Sequence, residues 1–275
     1  MSVHATPAGT SSGRPISIHD VQAFADAGEK FAMLTAYDYL SAQILDEAGV
    51  PLLLVGDSLG MVMLGYDSTV PVTMEEMLHH TRAVARGAQR ALVVADMPFG
   101  SYQGSVEAGF ANAARFMKEA GANAVKLEGP QVELTRRLVQ AGLPVMAHLG
   151  LTPQSVNQLG GFKVQGRDQD VADKLLADAL ALEEAGAFAL VLEAVPSQLG
   201  ASVTQALRIP TIGIGGGPGT DGQVLVFHDF LGLTGGRLPR FVKQYATLRS
   251  EIVDAAKAFQ AEVASGDYPG PEHSY

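Results

Sequence analysis

The sequence predicts a (β/α)8 barrel, an α/β fold in which eight parallel strands alternate with helices. Eight short apolar stretches recur over roughly 250 residues, which suits the size of this fold. Each stretch is nearly all apolar, as expected for parallel strands that are buried on both faces. A doubly wound open sheet is the alternative, but its first strand normally leads into a glycine-rich loop, and residues 35–38 (TAYD) contain no glycine.

Five of the predicted strands follow an Ala-Gly pair. A helix can end at such a glycine, because glycine readily adopts the left-handed conformation after a last helical turn. The first pair, at residues 27–28, therefore predicts a helix before strand 1. The five strands lie within residues 30–38 (KFAMLTAYD), 50–57 (VPLLLVGD), 123–129 (NAVKLEG), 143–150 (LPVMAHLG) and 187–194 (AFALVLEA).

Three further strands and the helices complete the pattern. The strands are predicted at residues 91–96 (ALVVAD), 210–215 (PTIGIG) and 224–228 (VLVFH). Thr73 and Glu76 have capping-box spacing and open a helix that includes residues 79–87. Helical apolar spacing recurs at residues 109–120 and 171–185. Since no linker interrupts the repeat, we expect one barrel domain over residues 16–264, a disordered segment 1–15 and a flexible tail 265–275.

Composition excludes several classes of function. The net charge is −10 and no basic run occurs, which argues against nucleic acid or an anionic membrane as a partner. The absence of cysteine excludes disulfides, thiolate metal sites and a cysteine nucleophile. The amino terminus lacks the apolar stretch of a secretory signal, and no apolar run reaches the roughly 20 residues that span a bilayer. We expect a cytoplasmic protein.

Strand 4 carries two charges in an otherwise apolar segment. Side chains of a barrel strand alternate between the interior and the helices, so Lys126 and Glu128 share one face while Val125 and Leu127 share the other. The charged pair is expected inside the barrel near the carboxyl end of the strand. Active sites of this fold lie at that end.

Other predicted strands also end in polar side chains. Asp38, Asp57, Asp96, His148 and Glu193 each follow an apolar run. Buried carboxylates that lie together repel one another, so positive charge must accompany them. Lys126 supplies one charge and a divalent cation would supply the rest. Oxygen ligands favour Mg²⁺ or Mn²⁺, and the acids from adjacent strands 2, 3 and 4 are the expected ligands: Asp57, Asp96 and Glu128.

Each of these residues also has a structural explanation. An acid after a strand is often a helix N-cap, Lys126 could be a salt-bridge partner, and His148 could be a hydrogen-bonded core histidine. His228 and Asp229 are interpreted as structural. The glycine-rich residues 213–219 could grip a phosphate, but tight loop geometry explains them equally well.

Several longer motifs resemble the ketopantoate hydroxymethyltransferase family. The resemblance covers residues 16–264 and depends on residues 55–62 (VGDSLGMV), 69–73 (TVPVT), 95–103 (ADMPFGSYQ), 125–129 (VKLEG), 147–154 (AHLGLTPQ) and 221–226 (DGQVLV). It implies a barrel of the phosphoenolpyruvate/pyruvate type that assembles as a homodecamer. It also implies hydroxymethyl transfer from 5,10-methylenetetrahydrofolate to 3-methyl-2-oxobutanoate, which gives 2-dehydropantoate for pantothenate and coenzyme A biosynthesis, with one Mg²⁺ per subunit.

The resemblance also assigns residue roles. Its metal-binding acids match Asp57, Asp96 and Glu128. Contacts to the oxo acid match Asp57, Ser58, Asp96 and Lys126, His148 lies near that substrate, and Glu193 matches the proton acceptor. The loop after strand 7 departs from the family, which often has Ala or Asn at Gly216 and Cys at Thr220.

Two other functions remain open from the sequence. A Mg²⁺-dependent carbon–carbon lyase of the isocitrate lyase type would also hold an α-oxo acid at the carboxyl face of a barrel. Many such enzymes use a loop cysteine, which this chain lacks. The second is a barrel that binds a small acid without turnover.

Overall fold

Eight parallel strands form a closed barrel in the computed structural model, which describes residues 13–275. Each strand pairs with the next in sequence, and the last pairs with the first, so the predicted fold is confirmed. The strands are β1 (Phe31–Thr35), β2 (Leu52–Val55), β3 (Leu92–Asp96), β4 (Ala124–Glu128), β5 (Val145–Gly150), β6 (Ala189–Glu193), β7 (Thr211–Ile214) and β8 (Gly222–Leu225).

Helices precede β1 and connect most of the strands. They are α1 (Ile18–Asp26), α2 (Tyr39–Glu47), α3 (Leu59–Val62), α4 (Met74–Gly87), α5 (Val106–Arg115), α6 (Val132–Gln140), α7 (Val156–Leu159), α8 (Gln169–Glu184) and α9 (Ser197–Ala206). A π-helical turn, Phe116–Ala120, extends α5, and a 3-10 turn, Pro153–Ser155, precedes α7.

Inward-facing apolar side chains fill the part of the barrel towards the amino-terminal ends of the strands. The buried cluster takes alternate residues from the strands, including Met33, Leu54, Val94, Met146 and Val191. The period of two that governs strand side chains explains why every second residue belongs to this core. Outward-facing residues of β5 and β6 instead pack against α8 and α9 in a second apolar cluster.

The amino-terminal helix α1 packs against the barrel core. Val21 is fully buried within the core cluster, and the ring of Phe24 lies 5.9 Å from the ring of Phe31, the first residue of β1. The predicted helix before strand 1 is thus present, and its apolar side covers the amino-terminal end of the strands. Residues 1–12 of the segment that we expect to be disordered lie outside the described residues.

Local sequence signals explain where the helices begin and end. The predicted capping box is formed at α4, where the backbone N–H of Glu76 donates to Thr73 Oγ1 and Glu76 Oε2 accepts from the N–H of Thr73. The glycines of all five Ala-Gly pairs have positive φ, from 68° to 99°. Such angles favour glycine, which supports the interpretation of these pairs as helix ends.

Two predicted boundaries were wrong. Strand 8 ends at Leu225 instead of residue 228, and His228 lies in a short helix, α10 (Phe227–Phe230). The run of apolar residues continues past the last ladder hydrogen bond, so hydrophobicity alone placed the end of the strand too late. The helix predicted at residues 109–120 begins at Val106, because Ser105 Oγ accepts from the N–H of Ala108 and caps it.

The described chain divides into two compact units, the first ending at Leu225 and the second covering Val226–Tyr275. All eight strands belong to the first unit. The second contains α10 and a long helix, α11 (Leu248–Ser265), followed by a 3-10 turn, Pro271–His273. Within residues 13–275, none of the helices combines the length and the apolar character required to cross a membrane.

Asp46 in α2 offers a test of how the first unit is held together. Its buried carboxylate accepts the backbone N–H groups of Gln89, Arg90 and Ala91 at 3.2, 3.0 and 2.6 Å, just before β3. Asp46→Ala leaves these donors without their acceptor and should lower the free energy of unfolding by about 2–3 kcal/mol. Urea unfolding measures the change, and Glu47→Ala, which removes an exposed carboxylate from the same helix, is the control. Equal stability of the two variants would contradict the expected role of Asp46.

Candidate active site

Polar side chains at the carboxyl ends of β3 to β6 share one buried region of the barrel. Asp96 and Glu193 end β3 and β6, and Lys126, Glu128 and His148 occupy inward-facing positions of β4 and β5. Asp57 and Ser58 follow β2 directly. All except Ser58 and Glu193 are at most 6% exposed. The structure therefore brings together the site residues that the sequence predicts from strands 2 to 6.

Lys126 lies at the centre of these contacts. Its Nζ is 2.8 Å from Asp96 Oδ1 and 3.0 Å from His148 Nδ1. Burial lowers the pKa of Lys126, but the charges of Asp96, Glu128 and Asp57 outweigh it, so the pKa is raised above 10.5. Lys126 is protonated at neutral pH. Among residues 13–275 it is the only lysine or arginine that is buried.

The ammonium group of Lys126 fixes the tautomer of His148. Because Lys126 Nζ can only donate, His148 Nδ1 accepts, and the ring proton is on Nε2. Burial and the charge of Lys126 lower the pKa of His148 well below 6.5, so the ring is neutral. His148 Nε2 lies 3.3 Å from Glu193 Oε2, a contact that does not have hydrogen-bonding geometry. The histidine thus presents its N–H side to Glu193.

Two neutral side chains that the sequence analysis did not select complete the cluster. Gln154, in the turn after β5, donates from Nε2 to Asp57 Oδ2 at 2.8 Å, and its backbone N–H donates to Glu128 Oε2 at 3.0 Å. The hydroxyl of Tyr102 accepts from the N–H of Glu128 at 3.0 Å. Both residues lie in motifs that carry the family resemblance. Charged residues at strand ends did not indicate them, because neither is ionised at neutral pH. Their only sequence signal for a place in the site is that each is a polar residue shortly after a strand end.

Asp57 is anchored through its backbone as well as its side chain. Its N–H donates to Asp96 Oδ2 at 3.0 Å. The preceding residue is Gly56, where a Cβ would lie 2.8 Å from Ser58 Oγ. Ser58 Oγ is 2.9 Å from the hydroxyl of the buried Tyr37. A side chain at position 56 would therefore displace the serine that is expected to contact the substrate.

The cluster contains more negative than positive charge. Four carboxyl groups, of Asp57, Asp96, Glu128 and Glu193, surround one ammonium group. Burial and the charge of Asp96 raise the pKa of Asp57 to about 7, and burial raises the pKa of Glu193 to about 7. Burial and the charge of Asp57 raise the pKa of Glu128 well above 4.5. A divalent cation would relieve this repulsion, and carboxylate oxygens suit a hard cation such as Mg²⁺.

The three acids that are predicted to bind the cation are not grouped as a preformed metal site in this structure. In residues 13–275, no group of three or more Asp, Glu, His or Cys side chains already has the spacing of a metal site. One oxygen of Asp57 and one of Glu128 accept hydrogen bonds from Gln154, and Asp96 pairs with Lys126. The charge and the donor chemistry fit a hard cation, whereas the assignment of Asp57, Asp96 and Glu128 as its ligands stays a prediction.

Other candidates from the sequence have structural roles or lie elsewhere. Asp38 is the N-cap of α2, where its Oδ1 accepts the N–H groups of Leu40 and Ser41 at 2.9 Å, so it does not belong to the acid cluster. His228 and Asp229 lie in α10 of the second unit. In the glycine-rich residues 213–219, a Cβ at Gly219 would lie 2.7 Å from Ala201 Cβ, which favours the explanation by tight packing.

A model of the ketopantoate hydroxymethyltransferase family matches residues 15–271. The chain belongs to the ketopantoate hydroxymethyltransferase family. A 3-methyl-2-oxobutanoate hydroxymethyltransferase from Carboxydothermus hydrogenoformans is 58% identical over 94% of this chain and 95% of its own length. The enzyme of the same name from Thermobifida fusca is 54% identical over the full length of both chains. The resemblance found in the motifs is confirmed, and the chain is an enzyme of the transferase class.

Solved structures support the barrel type. A 2,3-dimethylmalate lyase of the PEP mutase/isocitrate lyase superfamily aligns with a TM-score of 0.57 at 16% identity, covering 93% of this chain and 92% of that chain. Phosphonopyruvate hydrolase in complex with oxalate and Mg²⁺ aligns with a TM-score of 0.59 at 15% identity, with the same coverage. At this level of identity the comparison establishes the fold alone, which this chain shares with these two enzymes.

The raised pKa of Glu193 predicts how stability depends on pH in the absence of metal. Between about pH 4.5 and 7 the folded protein retains a proton that the unfolded chain has released, so stability falls as the pH rises through this window. Glu193→Gln removes this titration. The difference in unfolding free energy, wild type minus Glu193→Gln, should decrease by about 3 kcal/mol from pH 4.5 to 7.5.

Urea unfolding in the presence of EDTA measures this difference across the pH range. Groups that Glu193 does not influence titrate alike in both proteins and cancel in the subtraction, and Asp57, whose pKa is raised in part by the charge of Glu193, is the exception. Parallel stability curves for the two proteins would show that Glu193 titrates in the folded state as it does in the unfolded chain.

Proposed function

We propose that this ketopantoate hydroxymethyltransferase transfers a hydroxymethyl group from 5,10-methylenetetrahydrofolate to 3-methyl-2-oxobutanoate and forms 2-dehydropantoate, a step of pantothenate biosynthesis. Relatives at 54–58% identity are 3-methyl-2-oxobutanoate hydroxymethyltransferases by name, which supports the reaction. The observation that carries the proposal is the buried cluster in which Glu193 and Lys126 lie at the same barrel mouth as three further acids. It offers a base, a fixed cation and oxygen ligands within one site.

Glu193 is the proposed base that removes the proton from C3 of the oxo acid. Its pKa of about 7 matches a base that must be ionised at neutral pH and still accept a proton readily. Since Lys126 lowers the pKa of this carboxyl while burial raises it, the balance between the two sets its basicity. His148 faces Glu193 with its Nε2–H, 3.3 Å from Glu193 Oε2.

Lys126 and Ser58 are the proposed contacts for the oxygens of the substrate. The ammonium group is held by Asp96 and His148, so its charge is fixed in position before substrate arrives. Ser58 Oγ can donate to a carboxylate because its partner Tyr37 can act as donor or acceptor. The loop at residues 60–73, which follows Asp57 and Ser58 in the chain, is the proposed lid that excludes water from the site.

Asp57, Asp96 and Glu128 are the proposed ligands of one Mg²⁺ per subunit. When bound, Mg²⁺ would supply Lewis-acid polarisation of the keto oxygen and so favour loss of the C3 proton. A phosphonopyruvate hydrolase with the same fold was solved with Mg²⁺ and oxalate, a small diacid, which supports Mg²⁺ as the cation but does not bear on the choice of ligands. A new carbon–carbon bond then joins C3 to the methylene carbon of the folate, and both carbon–nitrogen bonds of that carbon break. One water supplies the hydroxyl oxygen, and the proton from C3 and the two protons of water end on that oxygen and on the two nitrogens of the released tetrahydrofolate.

The alternative reactions have weaker support. The lyase neighbours share the fold at 15–16% identity, which carries no statement about reaction, and no observation at the site favours carbon–carbon cleavage. A cytoplasmic location and a homodecamer remain predictions from the sequence and the family.

Exchange of the C3 proton tests the first chemical step without the folate. Wild-type protein with Mg²⁺ should replace the C3 proton of 3-methyl-2-oxobutanoate with deuterium in D₂O, visible by NMR as loss of that signal. Glu193→Gln should slow this exchange by about 100-fold or more, because the base is lost while its shape is kept.

The control is Glu184→Gln, which changes an exposed acid of α8 and should leave exchange unaltered. Exchange at the wild-type rate in Glu193→Gln would exclude Glu193 as the base. No exchange in the wild-type protein would contradict the proposed reaction and favour a protein that only binds the acid.

A further inference from the structure

Gln154 links two of the acids that are expected to bind the cation. It lies in the 3-10 turn after β5, and its side chain is buried at 4% exposure. Its side-chain Nε2 donates to Asp57 Oδ2 at 2.8 Å and to the carbonyl of Met97 at 2.9 Å. Its backbone N–H donates to Glu128 Oε2 at 3.0 Å. One residue thus fixes carboxylates that come from the ends of β2 and β4.

Tyr102 fixes the orientation of the Gln154 amide. The backbone N–H of Glu128 donates to the Tyr102 hydroxyl at 3.0 Å, so the hydroxyl proton is available for Gln154 Oε1, 2.7 Å away. Gln103 Nε2 donates to the same oxygen at 3.1 Å. With donors on the Oε1 side and acceptors on the Nε2 side, only one orientation of the amide satisfies every partner.

This arrangement leaves one oxygen of each acid available for a ligand. Asp57 Oδ2 and Glu128 Oε2 accept hydrogen bonds from Gln154. The remaining oxygens, Asp57 Oδ1 and Glu128 Oε1, accept no hydrogen bond from the described residues 13–275. A carboxylate that is held through one oxygen can offer the other to a metal in a fixed direction, as hydrogen-bonded ligands do in metalloproteins.

We propose that Gln154, oriented by Tyr102, is a positioning residue that holds Asp57 and Glu128 for binding of a divalent cation. The inference deepens the proposed function and rests on the assignment of these two acids as ligands. Gln154 does not touch the reacting atoms in this account. It acts through the acids, so its loss should weaken cation binding more than it slows the chemistry at saturating cation.

Binding of Mn²⁺ to the full-length protein tests the proposal. Gln154→Met keeps the length of the side chain but removes its hydrogen bonds, and should weaken Mn²⁺ binding by 10–100-fold in isothermal titration, the usual effect of losing a partner of a metal ligand. Tyr102→Phe removes one oxygen and should weaken binding less. Because Tyr102 acts largely through Gln154, the double variant should resemble Gln154→Met instead of showing the product of both effects.

The exchange reaction distinguishes positioning from a general structural defect. At saturating Mn²⁺, C3 exchange by Gln154→Met should return to within a few-fold of the wild-type rate, whereas damage to the fold would not be rescued by metal. Gln169→Met, an exposed glutamine at the start of α8, is the matched control and should bind Mn²⁺ like the wild type.

Three results would overturn the inference or its basis. Folded Gln154→Met with Mn²⁺ affinity within twofold of wild type would exclude the role of Gln154. If Gln154→Met does not fold, unchanged Mn²⁺ affinity in Tyr102→Phe would exclude it instead. Wild-type protein that binds no Mn²⁺ would contradict the proposed metal requirement itself, whichever glutamine variant is measured.

Discussion

The buried ammonium group of Lys126 is the interaction on which the site depends. It contacts Asp96 and His148 directly and influences the pKa values of Asp57, Glu128 and Glu193. Removing one partner of a buried ion pair typically costs about 3–5 kcal/mol, because the other charge remains without compensation. Here one lysine serves several carboxylates, so the cluster stays short of positive charge. A divalent cation, as we propose, would supply the missing positive charge.

The barrel makes such a cluster possible by separating apolar from polar layers along the same strands. In β4, Ala124 belongs to the apolar core, and Lys126 and Glu128 follow on the same inward face towards the carboxyl end. Strand pairing holds these side chains at fixed positions along the barrel axis, and the loops that follow the strands add Gln154 and Tyr102. The apolar layer contributes stability, and the polar layer above it can therefore hold crowded charges.

Periodicity and strand ends made the fold and most of the site predictable. The inward pairing of Lys126 and Glu128 followed from the alternation of side chains alone, and the acids of neighbouring strands followed from parallel order. The same rule misplaced Asp38, since an acid after a strand caps a helix as readily as it enters a site. Gln154 and Tyr102 could not be found this way, because their importance arises from hydrogen bonds between loops that are distant in sequence.

We propose that the crowded acids at one barrel mouth become compatible through Lys126 and one divalent cation. A crystal structure of the protein with Mg²⁺ and 3-methyl-2-oxobutanoate tests it most directly. We expect one Mg²⁺ bound by oxygens of Asp57, Asp96 and Glu128, with the oxo acid beside Lys126 and its C3 facing Glu193. A cation bound elsewhere, or these three acids without a cation while substrate is present, would contradict the account.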